Sequence, residues 1–255
     1  RMLSLLTTRI VVMSDLERRH AAELGLAAEK VVQIPIGRDA FPRRDRAQVL
    51  SALGIAPETA VVGFVGRLEE QKAPEVLMRA LARLPVGTPP HRLAIVGGGT
   101  REQALRAMAA ELGVADRLIW LGEVRAADFL AGFDFLVLPS DYEGFPYVFL
   151  DALQAGLPIV STPVGGASDV IVPGVNGFVV PHRDADALAG AMAQLLRDRG
   201  LRAAMAGASE DRARLFGLDV MLDRTEAAYR ECVPHHRAPR PLQAARRGPV
   251  ASAAP

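Results

Sequence analysis

The sequence predicts an α/β fold, a Rossmann-like parallel sheet flanked by helices. Three observations lead there. Apolar runs of strand length alternate with amphipathic helical patterns through most of the chain. Glycines crowd the positions just after those runs. The 255 residues, 50% of them hydrophobic, suffice for one large domain or two small ones with a buried core.

Residues 9–14, 31–35, 61–65, 93–96, 118–121, 135–138 and 159–161 are continuous apolar runs and read as strands buried on both faces. In 74–84, Val76, Leu77, Ala80, Leu81 and Leu84 share one helical face, as do Leu105, Met108, Ala109 and Leu112 in 101–112. Strands alternating with such helices make right-handed βαβ units and a mostly parallel sheet. Pro146 pre-sets the first turn of a helix over 147–154, and Gly156-Leu157-Pro158 stops it before the next strand. Beyond that strand the pattern changes. Helices over 184–197, 199–208 and 217–231 are expected to follow one another without a strand.

Composition excludes several classes. A single cysteine, Cys232, rules out a disulfide framework and a cysteine-based zinc site. Aromatics at 5% and a net charge of +1 argue against a nucleic-acid surface. No apolar run approaches the ~18–20 residues of a membrane helix, and residues 2–6 are too short for the apolar core of a signal peptide. A cytoplasmic protein is expected, and Arg1 as first residue suggests that its beginning is missing. From Pro234 onward the chain has four arginines, five prolines and no acid, so 234–255 is expected to be a disordered basic tail. Its charge could touch nucleic acid or anionic lipid, the latter as peripheral contact at the inner face of the membrane, but a solvated extension is the preferred reading.

Ligands of open parallel sheets bind outside the carboxyl ends of the strands. Gly66-Arg67, Gly97-Gly98-Gly99, Gly122-Glu123, Pro139-Ser140 and Thr162-Pro163 hold those positions. The turn Gly97-Gly98-Gly99-Thr100 can cradle a phosphate on backbone N–H groups or simply turn tightly from strand to helix. It is neither a Walker A sequence nor a dinucleotide fingerprint, because Glu102 stands where a third glycine belongs. Arg67 and Lys72 suit a diphosphate, one as a planar fork and one as a point charge; alternatively Glu69 and Glu70 pair with them in a solvated loop. Glu143 lies just outside the start of the helix over 147–154, and Asp151 falls inside it. Two carboxylates there can accept sugar hydroxyls, although Glu143 could equally cap the helix. Asp184-Ala185-Asp186 has the spacing of a metal triplet but precedes a helix, where an N-cap is the better reading. His182, His235 and His236 lack ligand partners, and no metal is expected.

Over residues 9–231 the chain resembles the glycosyltransferase family 4 group of GT-B glycosyltransferases. The likeness runs through VVQIPIGRDAF with Gly37 and Asp39, Gly66-Arg67-Leu68 with Lys72-Ala73, Gly97-Gly98-Gly99, and Leu121-Gly122. It continues through Pro139-Ser140 with Glu143-Gly144-Phe145, and through Ala155-Gly156-Leu157-Pro158-Ile159-Val160 with Val164-Gly165-Gly166.

The resemblance implies roles. Arg67 and Lys72 would hold the donor diphosphate and stabilise the leaving nucleotide without metal, and Glu143 would stand beside the transferred sugar. Gly66, Gly97 and Gly98 would line the donor site, and Gly122 to Val124 would run along the base. The loop Gly144-Phe145-Pro146-Tyr147 would face sugar or phosphate with the N–H groups of Gly144, Phe145 and Tyr147, and Asp151 would bind the ribose. The nucleotide-sugar, UDP- or GDP-linked, is then substrate and no separate cofactor is needed. The acceptor, a glycan or lipid-linked sugar, would be held by an N-terminal domain that the chain lacks.

The family's anomeric outcome is retention. Departures are Asp151 for a glutamate, Pro146 for a frequent glycine, and Ile36, Arg38 and Ala73 for asparagine, valine and glycine. The implied architecture is the second GT-B domain: a remnant of the first domain over 1–30, a nucleotide-sugar-binding domain over 31–216, a crossing helix over 217–233, and the tail. Such a fragment should have negligible activity of its own. A GT-B epimerase or phosphorylase, or a non-catalytic nucleotide-sugar-binding module, are the alternatives.

Overall fold

The computed structural model describes residues 6–233; the tail over 234–255 lies outside them. Strands β3 (Ala60–Val65), β4 (His91–Val96), β5 (Leu118–Gly122), β6 (Phe135–Leu138), β7 (Ile159–Ser161) and β8 (Gly177–Val179) form one parallel sheet in the order β5-β4-β3-β6-β7-β8. Alternate residues of the central strands feed two cores. Val62, Phe64, Ile95 and Val137 point into one, together with Leu77 and Leu81 of helix α3 (Pro74–Ala82) and Leu105 of α4 (Glu102–Glu111). Leu188 and Met192 of α7 (Ala185–Arg197) complete that layer. Val61, Ala94, Leu136 and Leu138 point into the other, against Leu50 of α2 (Arg46–Ala52), Phe149 and Leu153 of α5 (Tyr147–Gln154), and Val170 of α6 (Ala167–Val170). Burial on both faces is why these strands read as unbroken apolar runs.

Residues 9–14 and 31–35 depart from that expectation. They supply β1 (Ile10–Val12) and β2 (Val31–Gln33), a separate two-stranded parallel ladder. Val11 is 55% exposed and β2 is only half-buried. Ser14, expected to end the strand, instead caps helix α1 (Asp15–Glu23) by accepting from the Glu17 N–H at 3.2 Å. The division expected between 1–30 and 31–216 therefore falls inside a ladder. Backbone pairing places β2 with β1.

The polypeptide crosses between ladder and sheet at two adjacent places. Residues 34–45 lead out, and α9 (Leu218–Cys232) leads back. The crossings touch: Arg38 donates its N–H to the Phe216 carbonyl and bridges to Gly217, and Gly37 donates to Met221 Sδ at 3.1 Å. At the far end of α9, Glu231 accepts from Arg9 Nε at 2.9 Å, beside β1. Helix α8 (Arg199–Ala213) runs past the expected end at 208, because Ser209 is buried with its hydroxyl on the Leu157 carbonyl and Arg212 binds the Val170 carbonyl. Strand β8, absent from the expected set, is three residues long and opens on Gly177, where a Cβ would collide with the Ile159 carbonyl.

At the amino ends of the strands, Asp134 closes a polar network. Its Oδ2 accepts from the Val61 N–H at 2.7 Å and from Arg46 at 2.8 Å, and Arg202 Nε lies 3.5 Å from Oδ1. Asp134→Asn keeps the shape but removes the charge facing two guanidinium groups. It is expected to cost about 1–3 kcal/mol, read as a lower urea midpoint with an unchanged denaturant slope.

Candidate functional site

In the order β5-β4-β3-β6-β7-β8 the chain leaves β3 in one direction for β4 and β5, and in the other for β6. The crevice between the carboxyl ends of β3 and β6 is thus the topological switch point, where such sheets bind ligands. From β3 it receives Gly66, Arg67 and Lys72, and from β6 the loop carrying Glu143. Lys72 Nζ and Glu143 Oε1 meet at 2.5 Å, with side chains only 14% and 10% exposed. Gln71 ties the same two loops, donating to the Tyr142 carbonyl at 2.8 Å and accepting from the Asp141 N–H at 2.9 Å.

These contacts decide two open alternatives. Lys72 does not pair with Glu69 or Glu70; Glu69 instead accepts from the Thr100 N–H and hydroxyl, both at 2.9 Å, which hold its carboxyl below its ordinary range. Glu143 does not cap α5, whose first turn begins after Pro146 with no side-chain cap. Arg67 is exposed and, among the described residues, has no ion-pair partner. Ala73, which follows Lys72, is held at φ 45°, in the left-handed region where a glycine is relaxed. The departure from the family's glycine falls at a position whose backbone asks for one.

The glycine turn after β4 serves close packing. Gly97 adopts φ 130° and gives its N–H to the Gly122 carbonyl at 2.7 Å; a Cβ there would enter the Gly66 carbonyl. A Cβ on Gly98 would stand 2.9 Å from the Glu123 carboxylate, and one on Gly99 2.6 Å from the Leu68 carbonyl. The Thr100 N–H is taken by Glu69. A turn built to bring three loop backbones together accounts for these glycines, with Gly97 and Gly98 beside Gly66 and Gly122. A bulge at the end of the β4–β5 ladder sets Gly122 at φ 70° and leaves Val124 43% exposed at the rim.

Beyond Glu143 the loop is clamped from behind. Gly165 donates its N–H to the Glu143 carbonyl at 3.0 Å, and Gly166 lies under the Phe145 ring. Phe145 is buried and tilted against Phe216, ring centroids 6.3 Å apart, so only its backbone can face a ligand. A Cβ on Gly144 would meet no atom within 4 Å, so this glycine faces open space. Tyr147, the first residue of α5, is 55% exposed.

Asp151 has a partner that was not expected. Arg38 donates from Nε to Oδ1 at 2.7 Å and from Nη2 to Oδ2 at 3.3 Å, and its guanidinium lies 5.8 Å from the centre of the Tyr147 ring. Burial pushes the Asp151 carboxyl above its ordinary range, and the Arg38 charge and hydrogen bonds oppose that shift. Two other residues were missed as supports, Gly165 and Phe216. Of the remaining candidates, Asp184 caps α7, accepting from the Asp186 and Ala187 N–H groups. No helix among the described residues is long and apolar enough to cross a membrane.

Residues 45–212 match the family model described as glycosyl transferases group 1. The D-inositol 3-phosphate glycosyltransferase of Mycobacterium marinum is 33% identical over 97% of this chain and 54% of its own length. That of Actinosynnema mirum is 35% identical over 87% of this chain and 57% of its own. The chain thus spans about half the length of these relatives. Among solved structures, sucrose-phosphate synthase from Thermosynechococcus elongatus superposes with a TM-score of 0.78 at 25% identity, over 87% of this chain and 57% of its own. Anabaena Alr3699/HepE in complex with UDP-glucose superposes with a TM-score of 0.76 at 25% identity, over 88% of this chain and 64% of its own. The Rossmann-like parallel sheet of GT-B type expected from the sequence is the fold found.

Proposed function

This chain belongs to the glycosyl transferases group 1 family, and on that premise we propose that it is the donor-binding half of a retaining, metal-independent glycosyltransferase. The observation that carries the reading is the Lys72–Glu143 contact of 2.5 Å across the switch point. A cation and a carboxylate, both nearly buried and facing one crevice, suit a diphosphate next to a sugar. Arg67, exposed beside them, supplies the second positive charge. The UDP-glucose complex of Alr3699/HepE supports a nucleotide-sugar as the ligand.

In the proposed reaction the bond between the sugar C1 and the diphosphate oxygen breaks, and a bond from C1 to an acceptor hydroxyl oxygen forms on the same face. The acceptor proton passes to the departing phosphate. Arg67 and Lys72 stabilise the charge that develops on the leaving group, which is where fixed cations in a dry site accelerate most. Glu143 accepts hydroxyls of the transferred sugar, Gly144 and the N-terminus of α5 face the sugar or phosphate, and Asp151 accepts from the ribose. Gly122 and Val124 flank the base, while Gly66, Gly97 and Gly98 hold the phosphate-side loops together. The acceptor is assigned to a further domain. The ladder β1–β2 with α9 is the part of this chain that would join it, and 31–33 belongs with that part.

Calorimetric titration of this chain with UDP, GDP, ADP and UDP-glucose tests the reading. Binding of at least one nucleoside diphosphate, weakened by Arg67→Ala and by Lys72→Ala, is expected. Binding that ignores both substitutions, or tight binding of NADH in place of these ligands, would overturn it.

A further inference from the structure

We propose that Arg38 is a positioning residue of the donor site, one that aims the Asp151 carboxylate and ties helix α5 to the crossing between ladder and sheet. The inference rests on the donor-site reading given above. Three observations carry it. The Arg38 guanidinium grips both carboxylate oxygens of Asp151 side by side, the geometry that fixes a carboxylate in direction as well as place. The same guanidinium lies over the Tyr147 ring at the mouth of α5, four positions earlier on the same helix. The Arg38 backbone is itself held, its N–H on the Phe216 carbonyl and its carbonyl accepting from Gln154 Nε2 at 3.2 Å.

Arg38 therefore joins the outgoing crossing, the start of the returning one and both ends of α5. Aspartate is one methylene shorter than the glutamate of the resembled family. A short carboxylate on a helix has less reach, and an arginine in place of valine supplies a partner that sets its direction. The ribose contact is then made by an Arg38–Asp151 unit.

The pair also counters burial at Asp151, because the Arg38 charge and hydrogen bonds lower a carboxyl that burial raises. Its surroundings are otherwise unfavourable to charge, since burial raises its carboxyl. At the far end of α5, Arg43 binds the Gln154 carbonyl and pairs with Glu210 of α8, while Lys72 and Glu143 lie before its start and Asp219 stands beside Gly217, the bridge partner of Arg38. Tyr147 is the titratable group whose ring the Arg38 guanidinium covers.

The test uses this chain and two readouts: the Asp151 titration by carbon-13 NMR without ligand, and UDP-glucose affinity as a function of pH. Arg38→Ala is expected to move the Asp151 titration to higher pH. It is also expected to weaken UDP-glucose binding about 10-fold at neutral pH, with the acidic loss of affinity beginning at higher pH than in the parent. Arg38→Lys should restore part of both. In an Asp151→Asn background Arg38→Ala should add little further loss. An unmoved Asp151 titration with unchanged affinity, or losses from the two substitutions that simply add, would overturn the proposal. Affinity lost in Arg67→Ala but kept in Arg38→Ala overturns this inference alone. Failure of the parent chain to bind any nucleoside diphosphate or UDP-glucose overturns the donor-site reading and this inference with it.

Discussion

On the proposed function, alanine at Lys72 is expected to lower the turnover of an enzyme carrying this sequence together with its acceptor-binding part by about 10²–10³-fold, and alanine at Arg67 by a similar factor. The two losses arise differently. Arg67 is exposed and committed to no ion pair among the described residues, so on the proposed function its removal takes away charge toward the diphosphate, along with its lesser pull on Glu69. Lys72 is 14% exposed and sits 2.5 Å from Glu143. Its removal also strands a carboxylate that is 10% exposed, leaving a nearly buried acid without its charge partner. Lys72→Ala should therefore weaken both leaving-group stabilisation and the sugar contact. Arginine is a poor substitute, because its flat fork does not fill the place of a compact ammonium. Single-turnover measurement at saturating donor isolates the chemical step, and wild-type rates in either alanine variant would sink the assignment.

What the sequence disclosed follows the range of the physics involved. Helix α5 and strands β6 and β7 were legible to the residue, because their limits are written locally: Pro146 opens the helix and Gly156-Leu157-Pro158 ends it. Strands β1 and β2 were legible as strands but not as a separate ladder. Their apolar composition matches that of the central strands, while sheet membership is decided by pairing partners elsewhere. Strand β8 was lost because three residues beginning with glycine make no apolar run, and its strand character comes from β7 alongside.

The candidate site divides in the same way. The glycines, Arg67 and Glu143 were found in the loops after strand ends, where the fold class says to look, and Asp151 inside the helix that follows one of those loops. The contacts among them were not. Lys72 and Glu143 are 71 positions apart, and Arg38 and Asp151 are 113 apart. Arg38 was visible only as a departure from a family pattern, while the carboxylate it answers was visible both as a candidate acceptor of sugar hydroxyls and as a second departure.

Gly165→Ala is expected to abolish donor binding without touching the ligand. A Cβ at this position would overlap the Gly144 carbonyl oxygen and stand 2.5 Å from that of Glu143. Both neighbours are backbone, so neither can step aside by rotating a side chain. The loop must move, taking with it the Glu143 carbonyl that the Gly165 N–H holds at 3.0 Å. A shift of about 1 Å at a catalytic group can cost about 10²-fold, and forced overpacking costs about 1–3 kcal/mol of stability. Both losses should appear together, as vanishing UDP-glucose heat in calorimetry and a lower urea midpoint. Gly144→Ala is the control, since a Cβ there meets nothing within 4 Å. That methyl group would project into the open crevice, so Gly144→Ala should keep the parent's stability yet weaken donor binding by crowding the ligand. Two neighbouring glycines thus separate packing from contact. If Gly165→Ala binds UDP-glucose like the parent, the Glu143 loop is not set by the clamp behind it. If Gly144→Ala binds unchanged, the ligand does not lie against this loop.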